Sequence, residues 1–226
     1  MPSLHALSLE SYSKEPGTKP PGYYEKYDRV FLSKQFTPER ILEVGVHLGE
    51  STKLFAKAYP NAKIVALDIK LAEIDFSACP NVTYLQADQS DRGRMEGIIE
   101  EHFPDGIDLV VDDASHIGYL SKATFDIVFP HVRGKGIYIV EDWGTGYWDN
   151  FLDGARFQEF PVSIHDGRLP RRIPSHDFGM VGFVKSLVDY TSESDIRPNE
   201  ADPPTRTNRV ASLQFFPGIC IAEKNL

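Results

Sequence analysis

From residue 41 onward, short runs of β-branched and other apolar residues alternate with segments whose apolar positions recur every three or four residues. The runs are Ile41–Val46, Lys63–Ile69, Val82–Asp88, Ile107–Asp113 and Gly136–Trp143. Each reads as a strand of the kind buried on both faces in a parallel sheet. Between them, Ser51–Tyr59, Asp91–Phe103 and Ile117–Val132 carry apolar residues spaced as on helices that pack along one side. Repetition of strand, helix and strand predicts right-handed crossovers and a doubly wound α/β architecture. At the end of the chain Val210–Phe216 and Gly218–Lys224 flank Pro217–Gly218 and predict an antiparallel hairpin. Together these runs predict a Rossmann-like, mostly parallel, seven-stranded sheet with a C-terminal antiparallel hairpin, in a single domain over residues 1–226.

The remaining stretches are less periodic. Residues 1–38 read as an N-terminal cover segment, which includes Tyr23 and Tyr24 of PPGYYEKY. Residues 144–177 and 191–209, rich in Gly, Pro, Arg, His and other polar residues, read as substrate or lid loops. Between the two, Gly179–Tyr190 carries Met180, Phe183, Val184, Leu187 and Val188 on one stripe and predicts a helix packed on the core.

Composition narrows the function classes. The chain has 226 residues, 41% of them apolar, the profile of a globular protein with room for a proper core. Its formal net charge of −9 shows no basic patch for phosphate backbones, so nucleic acid is not expected as a partner. Cys79 and Cys220 form no CxxC pair, which suits a reducing, cytoplasmic setting and argues against zinc. Neither a secretory leader nor a run of membrane-spanning length is evident, and no membrane partner is expected.

Chemistry gathers at the strand ends. In ILEVGVHLGEST, Gly45 and Gly49 join the first strand to its helix, where a ligand backbone approaches only if Cβ bulk is absent. Asp68, ending KIVALDI, stands where a carboxylate accepts ribose hydroxyls, and Asp88–Gln89 end the third strand at the same sheet edge. The fourth strand ends in DLVVDDASH and the fifth in IYIVEDW, so Asp112, Asp113, His116, Glu141 and Asp142 converge across strands about 4.8 Å apart. Carboxylates that close repel unless a cation intervenes, and an all-oxygen donor set selects Mg²⁺, with Mn²⁺ an acceptable substitute. The plainer reading of each acid taken alone is a cap on the following helix or loop. His116 follows Asp113 by three residues and is the candidate general base, because an imidazole exchanges protons near neutral pH. Asp112, on the opposite side of the strand from Asp113, is assigned a structural or cofactor-side role. Trp143, Tyr147 and Trp148 could stack on a substrate ring or pack the loop, and His165 and His176 are further candidates in it.

EVGVHLGES, ALDI and LQADQSD resemble the cofactor half of class I S-adenosylmethionine-dependent methyltransferases, over roughly residues 20–226. With DQSD, DDASH and VEDW, the chain most resembles the metal-dependent sugar O-methyltransferases of macrolide and polysaccharide biosynthesis. That resemblance implies that Glu43, Gly45, Gly49 and Ser51 line the methionine portion of S-adenosylmethionine, that Asp68 holds the ribose, and that Asp88 and Gln89 border the adenine. It implies Asp113, Glu141 and Asp142 as metal ligands and supports His116 as the base. This chain has Glu50 where the family often has a second glycine. The expected acceptor is a hydroxyl of a sugar or saccharide-containing molecule, with Trp143, Tyr147, Trp148 and His176 on its side, and a homo-oligomer is compatible with loops over an open site. Competing readings are a hydroxylase-like relative, a phenolic or natural-product O-methyltransferase, and a non-catalytic protein that senses the cofactor.

Overall fold

The computed structural model describes residues 3–12, 18–159, 176–192 and 210–226. In chain order the strands are β1 (Arg40–Val44), β2 (Lys63–Asp68), β3 (Val82–Gln86), β4 (Ile107–Asp112), β5 (Val132–Glu141), β6 (Val210–Phe216) and β7 (Ile219–Lys224). They form one sheet in the order β3-β2-β1-β4-β5-β7-β6. β1 to β5 pair in parallel, and β7 joins β5 antiparallel with β6 outside it, the expected hairpin. The strand order reverses at β1 and β4, so the crevice for a ligand opens beyond Val44 and Asp112.

Side-chain alternation divides the core into two layers. Leu42, Val44, Val110, Tyr138 and Val140 pack with residues of α4 (Arg92–His102), α5 (Gly118–Val128) and α7 (Gly179–Ser186). Ile41, Leu109, Val111, Ile137 and Ile139 pack on the other face with α1 (Leu4–Ser11), α2 (Pro21–Lys34) and α3 (Glu50–Ala58). The period of two therefore sends Asp112 under α5, and Glu43 and Glu141 under α2 and α3. Tyr27 and Phe31 of α2 are fully buried, and Tyr27 stacks on Phe55 of α3 with ring centres 6.5 Å apart.

The structure departs from the sequence expectation in several places. Among the described residues of the segment 1–38 the chain forms α1 and α2, elements not assigned from the sequence pattern: Pro21 at the first turn of α2 supplies a helical φ, and Gln35 closes that helix in the left-handed region. β5 begins at Val132, four residues before the expected Gly136, through a bulge that lets Val132 pair with Ile107. The helix before it stops at Val128 and tightens into a 3-10 turn over Phe129–His131, which contains Pro130. α7 likewise ends at Ser186, ahead of a 3-10 turn at Asp189–Thr191. The stretch expected as one loop holds a 3-10 turn, Trp143–Tyr147, and α6 (Leu152–Glu159). His165 and most of the second expected loop lie outside the described residues. Among the described residues no helix is long and apolar enough to cross a membrane.

Candidate active site

The loop after β1 is pressed against the end of β4. The Gly45 amide donates to the Leu67 carbonyl at 2.8 Å, Gly45 has φ +94°, and a Cβ there would lie 2.1 Å from the Asp113 carbonyl oxygen. Only glycine meets both conditions. Asp68 fixes the same loop: its Oδ2 accepts from the Val46 and His47 amides at 2.9 and 3.1 Å, and its Oδ1 from Lys70 at 3.1 Å. A carboxylate offers about four acceptor positions, so Asp68 keeps capacity for hydroxyl donors. At the third strand end, the Asp88 carboxylate accepts from the amide and hydroxyl of Ser90, which hold its pKa below the ordinary value. Gln89 is tied to α5 by a 2.8 Å bond to Thr124. Gly45, Asp68, Asp88, Gln89, Asp113 and Tyr119 line a cavity of about 660 Å³. A smaller cleft, lined by Lys19, Ser51 and Glu50, shares Gly45, His47 and Asp113 with it.

Three residues expected on the cofactor side, Glu43, Gly49 and Asp112, line neither cavity. Glu43 is fully buried beneath the wall, where its carboxylate accepts from the hydroxyls of Ser51 and Thr52. Burial raises its pKa, against the opposing influence of Lys19 and those hydroxyls. Gly49 faces the segment after β2, and a Cβ there would crowd Ile74 and Phe76. Asp112 is buried under α5 with the Tyr138 hydroxyl 3.5 Å from its Oδ2, and burial pushes its pKa up to about 7. Strand alternation dictates the positions of Glu43 and Asp112, which support the site from behind.

Asp113, His116 and Asp142 come together with ligand atoms all within 4.8 Å of one another. The His116 ring nitrogen lies 3.9 Å from a carboxylate oxygen of each aspartate. His47, His116 and Asp142 all adopt positive φ, between 49° and 53°. Non-glycine residues held in that region cost free energy and concentrate at functional sites. Glu141 is engaged differently: Lys19 Nζ stands 2.5 Å from its Oε1, and the Tyr27 hydroxyl donates to the same oxygen. Its other oxygen, Oε2, is buried with no hydrogen-bond partner among the described residues. Burial and the neighbouring Asp113 raise the Glu141 pKa, and Lys19 and Tyr27 oppose them. Lys19 also lies 3.1 Å from Asp113, and its side chain is only 7% exposed. Burial alone would lower its pKa, yet the two carboxylates hold it well above the ordinary value.

The Tyr23 hydroxyl donates to Asp142, which, after burial, keeps the phenol protonated far above its usual pKa. Tyr23 fits there because the hairpin turn is glycine: Gly218 has φ +78°, and a Cβ would lie 2.1 Å from the phenol oxygen. Lys19, Tyr23 and Tyr27 thus reach the acids at four-residue spacing. Of the three, only Tyr23 was singled out from the sequence, and the spacing is the signal that could have found the others.

The aromatic candidates separate. Trp143 donates to the Phe216 carbonyl at 3.2 Å and packs the turn on β6. Tyr147 and Phe157 enclose the His176 ring, whose pKa is lowered by burial. His176 also accepts from the Phe178 amide, so it has a packing role here. Trp148 remains exposed and meets Phe151 edge-on, and Phe151 meets His116. Phe151 was not foreseen.

No family model matches the chain. It is 28% identical over 208 residues to mycinamicin VI 2''-O-methyltransferase of Micromonospora griseorubida, covering 88% of this chain and 47% of that protein. It is 28% identical over 232 residues to 8-demethyl-8-alpha-L-rhamnosyl tetracenomycin-C 2'-O-methyltransferase of Streptomyces olivaceus, covering 99% and 55%. Among solved structures it is similar to the MycE methyltransferase of the mycinamycin biosynthetic pathway in complex with Mg, SAH and mycinamycin VI. That match has a TM-score of 0.73 and 26% identity, over 99% of this chain and 54% of that one. The chain spans about half the length of the relatives it matches. In sequence and fold the chain is similar to these sugar O-methyltransferases of mycinamicin and tetracenomycin biosynthesis, a likeness consistent with the class I S-adenosylmethionine-dependent methyltransferases.

Proposed function

We propose that the chain transfers a methyl group from S-adenosylmethionine to a hydroxyl of a sugar-bearing small molecule, with a divalent ion, Mg²⁺ by preference, in the carboxylate cluster. The observation that carries this reading is a shared residue: Asp113 lines the large cavity and also belongs to the cluster it forms with His116 and Asp142. A methyl donor in the first and an acceptor hydroxyl at the second would meet at Asp113.

The residues fit a hard cation. Asp113 and Asp142 offer carboxylate oxygens at one point, and the buried, unpartnered Glu141 Oε2 supplies a further oxygen with no protein donor to satisfy it. When bound, S-adenosylmethionine supplies an electrophilic methyl group and the metal supplies Lewis acidity that makes a substrate hydroxyl more acidic. His116 is the group placed to take that hydroxyl's proton. It reaches over the cluster from the loop before α5, with a carboxylate oxygen of Asp113 and one of Asp142 each 3.9 Å away. Asp68 would hold the ribose hydroxyls, with Asp88 and Gln89 at the base. Exposed Trp148, backed by Phe151, would present an aromatic face to a sugar ring.

Mass-spectrometric screening of glycosylated acceptors with S-adenosylmethionine tests the reading. The expected outcome is a methylated glycoside with one equivalent of S-adenosylhomocysteine. Methylation confined to phenols or catechols would overturn the substrate class.

A further inference from the structure

Lys19 lies in residues 18–20, directly before α2, and the two prolines that follow it restrict the backbone there. Its ammonium bridges two carboxylates from different strands, Asp113 after β4 and Glu141 at the end of β5. One turn and two turns further on, Tyr23 and Tyr27 hold Asp142 and Glu141. The segment from Lys19 to Tyr27 therefore presents one cation and two neutral donors to the site. The tyrosines, as neutral donors to Asp142 Oδ1 and Glu141 Oε1, are compatible with a metal ion among the acids. The lysine is not, because a divalent ion at Asp113 and Glu141 would set two positive charges beside an ammonium that already balances the same two carboxylates.

We propose that Lys19 is a displaceable internal cation: it neutralises Asp113 and Glu141 while the site holds no metal, and it leaves when a divalent ion seats. This rests on the metal reading of the cluster. Removal of the ammonium has opposite effects on the two states. The metal-free protein is left with buried acids lacking a counter-charge and loses stability. The metal-bound protein loses nothing, because Lys19 has already gone. Metal affinity must rise accordingly, and the segment before α2 must change environment on loading.

The test uses Mn²⁺ as probe, with affinity read from the electron paramagnetic resonance of the free ion and compared between the natural protein and Lys19→Met. The variant should bind Mn²⁺ more tightly by about tenfold or more, since the ion no longer competes with an ammonium for the same two carboxylates. Its metal-free Tm should fall and recover with Mn²⁺. Equal or weaker binding by the variant overturns the proposal. Should Lys19→Met fail to fold, acetylation footprinting of the natural protein decides: Lys19 is protected without Mn²⁺ and acetylated once it is added. Protection that persists at Mn²⁺ saturation contradicts displacement while leaving the metal reading intact. If neither the natural protein nor the variant binds Mn²⁺, the metal reading fails and displacement fails with it.

Discussion

Asp153 Oδ2 accepts a 2.7 Å hydrogen bond from the Gly118 amide, and so ties α6 to the first residue of α5. The same oxygen takes the Met180 amide at 2.8 Å, which makes one buried carboxylate the common cap of α5 and α7. His116 ends two residues before Gly118, so this cap also anchors the loop that carries the candidate base. Replacement by alanine strands two buried backbone donors, at roughly 1–3 kcal/mol each. Asp153→Ala should lose about 2–6 kcal/mol by chemical denaturation, with Asp153→Asn recovering part of it.

Gly45 and Gly22 make a matched pair. A methyl at Gly45 meets the Asp113 carbonyl at 2.1 Å in a left-handed backbone, whereas a methyl at Gly22, in the first turn of α2, meets nothing within 4 Å. Gly45→Ala should abolish calorimetric binding of S-adenosylmethionine. Gly22→Ala should leave binding unchanged and stabilise the fold by about 0.4–1 kcal/mol, because alanine restricts the unfolded chain.

Far from the site, Glu223 accepts from Lys34 at 2.6 Å and from Ser212 at 2.8 Å. Burial alone would raise its pKa, but these partners hold it below the ordinary carboxylate value. A depressed folded-state pKa gives stability that is present above the unfolded value and is lost as pH falls through the folded one. Glu223→Gln should therefore be less stable than the natural protein at pH 7, by roughly 0.5–1.5 kcal/mol. Thermal melts should show that gap closing as the pH falls below the usual carboxylate range. A gap constant with pH would contradict the assignment.

Much of this architecture is legible in the residue pattern, for physical reasons that differ by element. β1 to β5 announce themselves because strands buried on both faces need continuous apolar runs. The acids that end those runs must emerge at one sheet edge, which is how Asp113, His116 and Asp142 could be grouped in advance. The destination of Glu141 was not legible. It depends on α2, and the contact between Tyr27 and Glu141 spans 114 residues of sequence. α2 itself has a modest apolar stripe built from Tyr24, Tyr27, Val30 and Phe31, and its two polar tyrosine tips disguise a buried face. Trp143 illustrates the opposite difficulty: an aromatic beside an acidic cluster reads as a substrate platform until its indole is found bonded to the Phe216 carbonyl.

The most direct measurement follows methyl transfer to a glycosylated acceptor with and without a chelator. Activity should fall to background in EDTA and return with Mg²⁺, while calorimetric binding of S-adenosylmethionine persists throughout. Transfer that continues at full rate in EDTA would contradict a metal role for Asp113, Glu141 and Asp142.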